Sequence, residues 1–180
     1  MRLEHKFCGE GTSIEVTEGA MIAGYASVFG ARDRGGDRVM PGAFAASLAQ
    51  GRKVRMLWQH DPAQPIGVWE ELREDARGLY VKGRLLPDVA KGREALSLVA
   101  AGALDGLSIG YRTTRARKTE GGGRELAEVD LWEVSLVTFP MLEDARVAAK
   151  TTALDPADDG DALAGLTRAV QGLRAALSTR

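Results

Sequence analysis

A histidine, a serine and a carboxylate lie in three separate apolar segments of this sequence: His60, Ser108 and Glu133. If residues 54–60 form a strand, alternation places His60 on the same face as Val54, Met56 and Trp58. The same rule places Glu133 with Val129, Leu131 and Val137. Each polar group is therefore set among residues that would bury it. Such a set suggests nucleophilic catalysis, in which a hydroxyl attacks, an imidazole takes its proton and a carboxylate orients the imidazole.

The small residues on either side of Ser108 favour its interpretation as a nucleophile. Ser108 shares strand parity with Gly106 and Gly110, so we expect its hydroxyl to lie in an uncrowded trough. A substrate carbonyl must come within about 3 Å of the attacking oxygen, which requires such space. The glycine spacing differs from the Gly-x-Ser-x-Gly elbow of doubly wound hydrolases. The alternative is a small residue in a tight strand.

His60 and Glu133 also have purely structural interpretations. His60 could be a core or surface histidine bonded to a backbone carbonyl, or the end of a strand that enters a turn at Asp61 and Pro62. Asp61 would point away from His60 unless the strand ends at Gln59.

The carboxylate of Glu133 could instead have a structural role in a buried ion pair. Glu133 could pair with Arg112 or Arg115 on a neighbouring strand. Asp130, on the opposite face by alternation, is the second candidate for the orienting role.

Composition excludes several classes of function. The chain has 180 residues, 44% apolar and 27% charged, with a formal net charge of −1, which fits a globular domain plus an appendage. The charge argues against nucleic-acid or anionic-membrane partners, and no apolar run reaches the length of a bilayer span or a signal core. Cys8 is the single cysteine, and His5 and His60 are the only imidazoles. We therefore expect no disulfide, metal or other cofactor.

Local patterns predict the elements that must position these residues. The predicted strands are residues 13–17, 20–29, 54–59, 66–72, 78–85, 107–115 and 126–139. Helices are predicted from Pro41 to Ala49 and over residues 88–101. Polar loops are predicted at 31–38 and at 118–123, the second a flexible hairpin tip.

The last part of the chain differs in composition. We expect residues 1–150 to form one domain and residues 151–180 to form an acidic linker with a helical tail. Five apolar residues line one side of that helix: Leu163, Leu166, Val170, Leu173 and Leu177. A short amphipathic helix cannot bury its stripe alone, so it docks or binds a partner.

Five segments in this order resemble one known family. They are residues 24–29 (GYASVF), 33–44 ending in PGAF, 58–61 (WQHD), 106–111 (GLSIGY) and 131–140 (LWEVSLVTFP). Together they resemble the prohead (capsid maturation) serine proteases of tailed phages with the HK97 type of capsid. The resemblance covers about four-fifths of the chain and implies an α+β fold, a mostly antiparallel β-barrel flanked by a few helices and related to the herpesvirus assembly proteases, here with a C-terminal amphipathic helix.

The family also implies roles for single residues. The resemblance puts the family's histidine on His60 and its serine on Ser108. Herpesvirus relatives use a second histidine as the third member, but here His5 lies outside every matching segment, so a carboxylate must substitute and Glu133 is preferred. Candidates for stabilising the oxyanion are backbone amides and Arg146.

The implied activity is that of a serine endopeptidase using acyl-enzyme chemistry without cofactors. Its substrates would be the N-terminal extension of the major capsid protein, or the scaffold, and the protease itself. It would act in the host bacterial cytoplasm inside the procapsid, with no nucleic-acid or membrane partner. The C-terminal tail would serve to target the protease to the procapsid or would be removed by self-cleavage. A homo-oligomer is also compatible with the sequence. The rivals are a non-catalytic capsid assembly or scaffolding factor and an esterase or amidase acting on small molecules.

Overall fold

The computed structural model describes residues 4–7, 15–17 and 20–139, the first two ranges as backbone strands. All of them belong to one structural unit, Met1–Ala149. The predicted linker and helical tail of residues 151–180 lie outside the described residues and stay a prediction.

Strands dominate this part of the chain. The elements follow in the order β1 (Glu4–Phe7), β2 (Glu15–Thr17), β3 (Met21–Val28), β4 (Arg38–Val39), α1 (Ala45–Ala49), β5 (Arg55–Trp58), β6 (Asp61–Glu74), β7 (Gly78–Leu85), α2 (Ala90–Ala100), β8 (Gly106–Lys118) and β9 (Arg124–Val137).

The strands form one sheet in the order β1-β8-β9-β5-β6-β7-β3-β2, and β4 pairs with β9 outside this path. Neighbouring strands run antiparallel, except that β4 and β5 are both parallel to β9. The sheet curls enough for β3, near one end, to contact β8, near the other. Strand β9 lies between β8 and β5, so it is flanked by the strand of Ser108 and by the strand that leads to His60.

Apolar side chains from both halves of the sheet form the core. Alternation along β3 buries Ile22 while its neighbours stay partly exposed. Fully buried large residues include Phe44, Met56, Ile66, Leu79, Leu126 and Tyr111. Each such apolar side chain contributes about 1.5–3 kcal/mol relative to exposure. Helix α1 docks on β9 through Ser47, whose Oγ accepts the Leu131 N–H at 2.9 Å.

The predicted elements are largely present, with differences at their ends. Strand β7 has the predicted bounds, but α1 begins at Ala45 because residues 41–44 form turns. Strand β6 begins at Asp61, earlier than predicted, and β1 and β4 were not predicted at all. A strand-rich, curled sheet with few helices agrees with the predicted α+β class; its closure into an antiparallel barrel stays a prediction.

Candidate active site

The structure brings Ser108 and His60 into direct contact. Ser108 lies in β8, and its Oγ is 2.6 Å from Nε2 of His60. The two residues are 48 positions apart, so this contact depends on β8, β9 and β5 being neighbours in the sheet. A hydroxyl at this distance donates its hydrogen to the imidazole nitrogen, which is the arrangement a general base requires.

His60 does not lie in a strand, so the condition under which alternation would place it beside Val54, Met56 and Trp58 is not met. Strand β5 ends at Trp58, which pairs with Asp61, and Gln59 and His60 form the turn between them. Both have positive φ, 50° and 63°. A two-residue hairpin with left-handed backbone at both positions matches the right-handed twist of its strands. The Asp61 carboxylate accepts the Ala63 N–H at 2.9 Å.

Contacts of Gln59 hold this turn against the end of β9. The Gln59 N–H donates to the Leu136 carbonyl at 2.9 Å, and Nε2 donates to Oγ1 of Thr138 at 2.6 Å. A left-handed conformation costs roughly 1–2 kcal/mol for a residue other than glycine. The bonds to β9 offset part of that cost, and the strained turn aims His60 at β8.

Glu133 is the carboxylate that reaches the imidazole. Its Oε1 is 2.5 Å from Nδ1 of His60, and the residue is only 2% exposed. An ionised carboxylate can only accept, so Nδ1 carries the ring hydrogen and Nε2 keeps its lone pair for the Ser108 hydroxyl. The hydroxyl, the imidazole and the carboxylate therefore form one continuous chain of hydrogen bonds.

A glycine and a bulge make room for this carboxylate. Gly110 of β8 pairs with Glu133 of β9, and a Cβ at Gly110 would lie 2.6 Å from the Glu133 Cδ and 2.7 Å from its Cγ. Only glycine, which has no Cβ, leaves room at position 110 for the Glu133 side chain. The register shifts between Gly110 and Tyr111, because β9 has an extra residue, Trp132, beside Glu133. Such bulges redirect neighbouring side chains.

Asp130, the second candidate for the orienting role, binds elsewhere. Its Oδ2 accepts hydrogen bonds from Arg52 at 3.0 Å and from the Trp132 indole at 2.9 Å. The predicted alternative partners of Glu133 are also engaged elsewhere: Arg112 lies over the Trp132 ring and Arg115 pairs with Glu128. The geometry therefore favours Glu133 over Asp130.

The expected uncrowded trough around Ser108 is absent in this conformation. Ser108 is 0% exposed, and the space beside Gly110 holds the Glu133 side chain. On the other side of β8, β1 pairs with it and places Phe7 opposite Ser108. The His60 side chain, 13% exposed, is the accessible part of the set.

The sequence interpretation missed two polar contributors. Ser135 donates a hydrogen bond to Oε2 of Glu133, and Gln59 anchors the histidine turn. Alternation along β9 could have identified Ser135, since a serine two residues from Glu133 lies on the same otherwise apolar face. Nothing local marks Gln59, because neither turn residue is glycine.

Some predicted features cannot be placed. Arg146 lies outside the described residues, and only the backbone of His5, in β1, is described. Among the described residues, no group of three or more His, Cys, Asp or Glu side chains could hold a metal ion. No helix in that same part of the chain is long and apolar enough to cross a membrane.

Comparison with known proteins places this chain in a family. The pattern of the family described as Caudovirus prohead serine protease matches residues 10–159. The chain belongs to this family. The match spans most of the sequence and includes all three residues of the hydrogen-bonded chain.

Individual relatives agree with that assignment. The chain is 37% identical over 150 residues to the prohead protease of Enterobacteria phage HK97, covering 81% of this chain and 64% of the relative. It is thus similar to somewhat less than two thirds of that protein's length. It is also 30% identical over 103 residues to the capsid polyprotein of Pseudomonas phage PAJU2, covering 53% of this chain and 15% of the relative.

A solved structure has a similar fold. The bacteriophage T4 capsid assembly protease gp21 superposes with a TM-score of 0.64, covering 77% of this chain and 98% of that one. At 16% identity this likeness concerns the fold alone.

Proposed function

We propose that this chain is a serine endopeptidase in which Ser108 is the nucleophile, His60 the general base and acid, and Glu133 the group that orients the imidazole. The observation that carries the proposal is the continuous hydrogen-bonded chain from Ser108 Oγ through both nitrogens of His60 to Glu133. Each member has the partner that acyl-transfer chemistry demands of it. Membership in a serine protease family supports the same roles.

The reaction proceeds in two halves. Ser108 Oγ attacks the scissile carbonyl while His60 Nε2 takes its proton, and the imidazolium then gives that proton to the leaving amine as the peptide bond breaks. Water next attacks the acyl-enzyme ester, losing a proton to Nε2, and the carboxylic acid product leaves as Ser108 regains its hydrogen. Glu133 stays ionised throughout, keeping the hydrogen on Nδ1 and stabilising the imidazolium.

The nucleophile of the proposed set is its most buried member. Ser108 is 0% exposed, and the His60 side chain is 13% exposed. The hydrogen-bonded set itself is already assembled.

The substrates we propose are proteins of the capsid. A relative named prohead protease and another named capsid polyprotein both point to the assembling capsid. Cleavage would remove an N-terminal extension of the major capsid protein or a scaffold, and self-cleavage would accompany it. The chain would act inside the procapsid, within the host bacterial cytoplasm.

Co-expression with the capsid protein of the same phage tests this function. Wild-type chain should shorten the capsid protein, as read by mass spectrometry of its mature N-terminus, whereas Ser108→Ala and His60→Ala should leave it uncut. A matched control is Ser27→Ala: Ser27 is equally buried, lies in β3 and has no hydrogen-bond partner for its Oγ among the described residues. Full processing by Ser108→Ala would refute the mechanism.

The same experiment separates the rivals. A scaffolding factor would support capsid assembly equally well with Ser108→Ala, and a fluorophosphonate probe would not label Ser108 in the wild-type chain. An esterase or amidase would hydrolyse small esters while leaving the capsid protein intact. Only a protease gives cleavage that depends on Ser108 and His60 together.

A further inference from the structure

One buried hydroxyl beside the catalytic set has no part in the reaction described above. Ser135 lies in β9 two residues after Glu133, and its Oγ donates to Glu133 Oε2. The residue is 0% exposed, and in the register of the sheet it lies directly across from Ser108. Ser135 thus touches the carboxylate and the strand of the nucleophile at once.

The two oxygens of Glu133 have different partners. Oε1 faces Nδ1 of His60, whereas Oε2 accepts the Ser135 hydroxyl. A carboxylate rotates about its last bond over a broad range of angles unless hydrogen bonds fix it. A buried carboxylate also depends on hydrogen bonds to remain ionised at low cost. The Ser135 hydroxyl meets both needs at the oxygen that His60 does not use.

The other side of the carboxylate is bounded by the backbone. Gly110 lies across from Glu133, with room for the carboxylate only because it has no Cβ. The side chain is therefore held between a strand surface at Gly110 and a donor at Ser135. In this arrangement Oε1 meets the imidazole and Oε2 meets the Ser135 hydroxyl.

We propose that Ser135 is a positioning residue: its hydroxyl fixes the plane and the charge of the Glu133 carboxylate, so that Glu133 holds His60 in the tautomer that Ser108 needs. This inference deepens the proposed function and rests on it. Ser135 acts on the reaction only through Glu133, so its contribution disappears when Glu133 can no longer act as a carboxylate.

A double-mutant cycle tests this dependence on capsid protein cleavage. Ser135→Ala should lower kcat by about 10- to 100-fold with little change in KM, because substrate contacts are untouched. In a Glu133→Gln background the same substitution should cost less than about 3-fold, since groups acting as a unit are not additive. If Ser135→Ala lowered kcat by the same factor in the wild type and in Glu133→Gln, the role of Ser135 would be only structural and the inference would be overturned.

A spectroscopic measurement tests the same contact without cleavage. A ring hydrogen bonded to a carboxylate gives a resonance far downfield in the proton NMR spectrum, and His60→Ala identifies it, since the chain has only two histidines. The resonance should shift upfield or disappear in Ser135→Ala and stay in Ser27→Ala. An unchanged resonance and an unchanged kcat in Ser135→Ala would refute the positioning role.

Three further outcomes are distinguishable. If Ser135→Ala does not fold, Ser135→Cys keeps the packing but offers only a weak donor; wild-type kcat in that variant would contradict the inference. If the wild-type chain cleaves no capsid protein, the proposed function fails, while the resonance still reports on the contact. If Ser108→Ala is inactive but both Ser135 variants match wild type, only the positioning role fails.

Discussion

Two carboxylates in this fold, those of Asp75 and Glu133, accept several hydrogen bonds, the first at the surface and the second in the interior. Asp75 lies at the turn between β6 and β7, where it accepts bonds from the Tyr25 hydroxyl at 2.7 Å, from Arg73 at 2.8 Å and from the N–H groups of Arg77 and Gly78 at 2.8 and 3.2 Å. The Tyr25 hydrogen bond, joined by these other donors, lowers the pKa of Asp75 to about 2. The cluster lies on the surface, with the Asp75 side chain 25% exposed.

Glu133 is the more buried of the two carboxylates, and it binds a different kind of group. Its side chain is 3% exposed, and it binds the imidazole of His60, which can accept a second hydrogen on its far nitrogen. The donors to Asp75 are a tyrosine hydroxyl, an arginine and two backbone N–H groups of the turn, so this carboxylate stabilises the turn between β6 and β7. The two carboxylates thus differ in their partners: the imidazole bound by Glu133 can itself exchange a proton, which the proposed orienting role requires.

The largest effect expected within this comparison is that of Glu133→Gln. The amide cannot hold the hydrogen on Nδ1 as a carboxylate does, so the imidazole loses its preferred tautomer and its charge partner. We expect the rate of capsid protein cleavage to fall by on the order of 10³- to 10⁴-fold, without vanishing. Single-turnover cleavage measured by quantitative mass spectrometry would detect the residual rate.

Asp130→Asn is the matched control for that substitution, since Asp130 lies three positions earlier in β9 and binds Arg52 and Trp132. Cleavage should stay close to the wild-type rate. Wild-type turnover by Glu133→Gln together with a large loss in Asp130→Asn would transfer the orienting role to Asp130.

Gly110→Ala should have the next largest effect. The added methyl would overlap the side chain of Glu133 and push the carboxylate away from His60. A displacement near 1 Å costs roughly 100-fold in rate, and we expect at least that loss in kcat. Gly121→Ala in the β8–β9 tip is the control, because a Cβ there meets nothing within 4 Å. Equal activity of the two variants would disprove the close fit at Gly110.

Asp75→Asn should leave cleavage unchanged and lower only the stability of the fold. The folded-state pKa is about 2, below the ordinary value of 3.8, so the ionised form stabilises the native state. This contribution is complete above about pH 4 and is lost as the pH falls through about 2.

Denaturant unfolding of wild type and Asp75→Asn across the acid range measures this effect. The wild type should be the more stable at neutral pH, and the gap between the two should close as the pH approaches 2. A gap that widened toward acid would contradict the pKa direction, and a loss of cleavage in Asp75→Asn would abolish the contrast between the two carboxylates.

Much of the site was predictable because its signals are local. Alternation identified Glu133 as a carboxylate on a buried face, and the small residues around Ser108 marked its strand. The preference for Glu133 over Asp130 followed from the same period of two, and the contacts of Asp130 with Arg52 and Trp132 agree with it. Strand β7 has the predicted bounds, and its second half alternates between exposed and buried residues.

The geometry around His60 was not predictable, because it depends on contacts between distant segments. A left-handed backbone is uncommon for residues other than glycine, and at Gln59 and His60 bonds from Gln59 to the end of β9 support it; Thr138 is 79 positions away. The sequence of this protein thus determined which groups could do chemistry and that Glu133 lies on a buried strand face. The tertiary structure alone decided that a strained turn, a bulge at Trp132 and the missing Cβ of Gly110 bring them within hydrogen-bond distance, since register and turn handedness are set by long-range pairing.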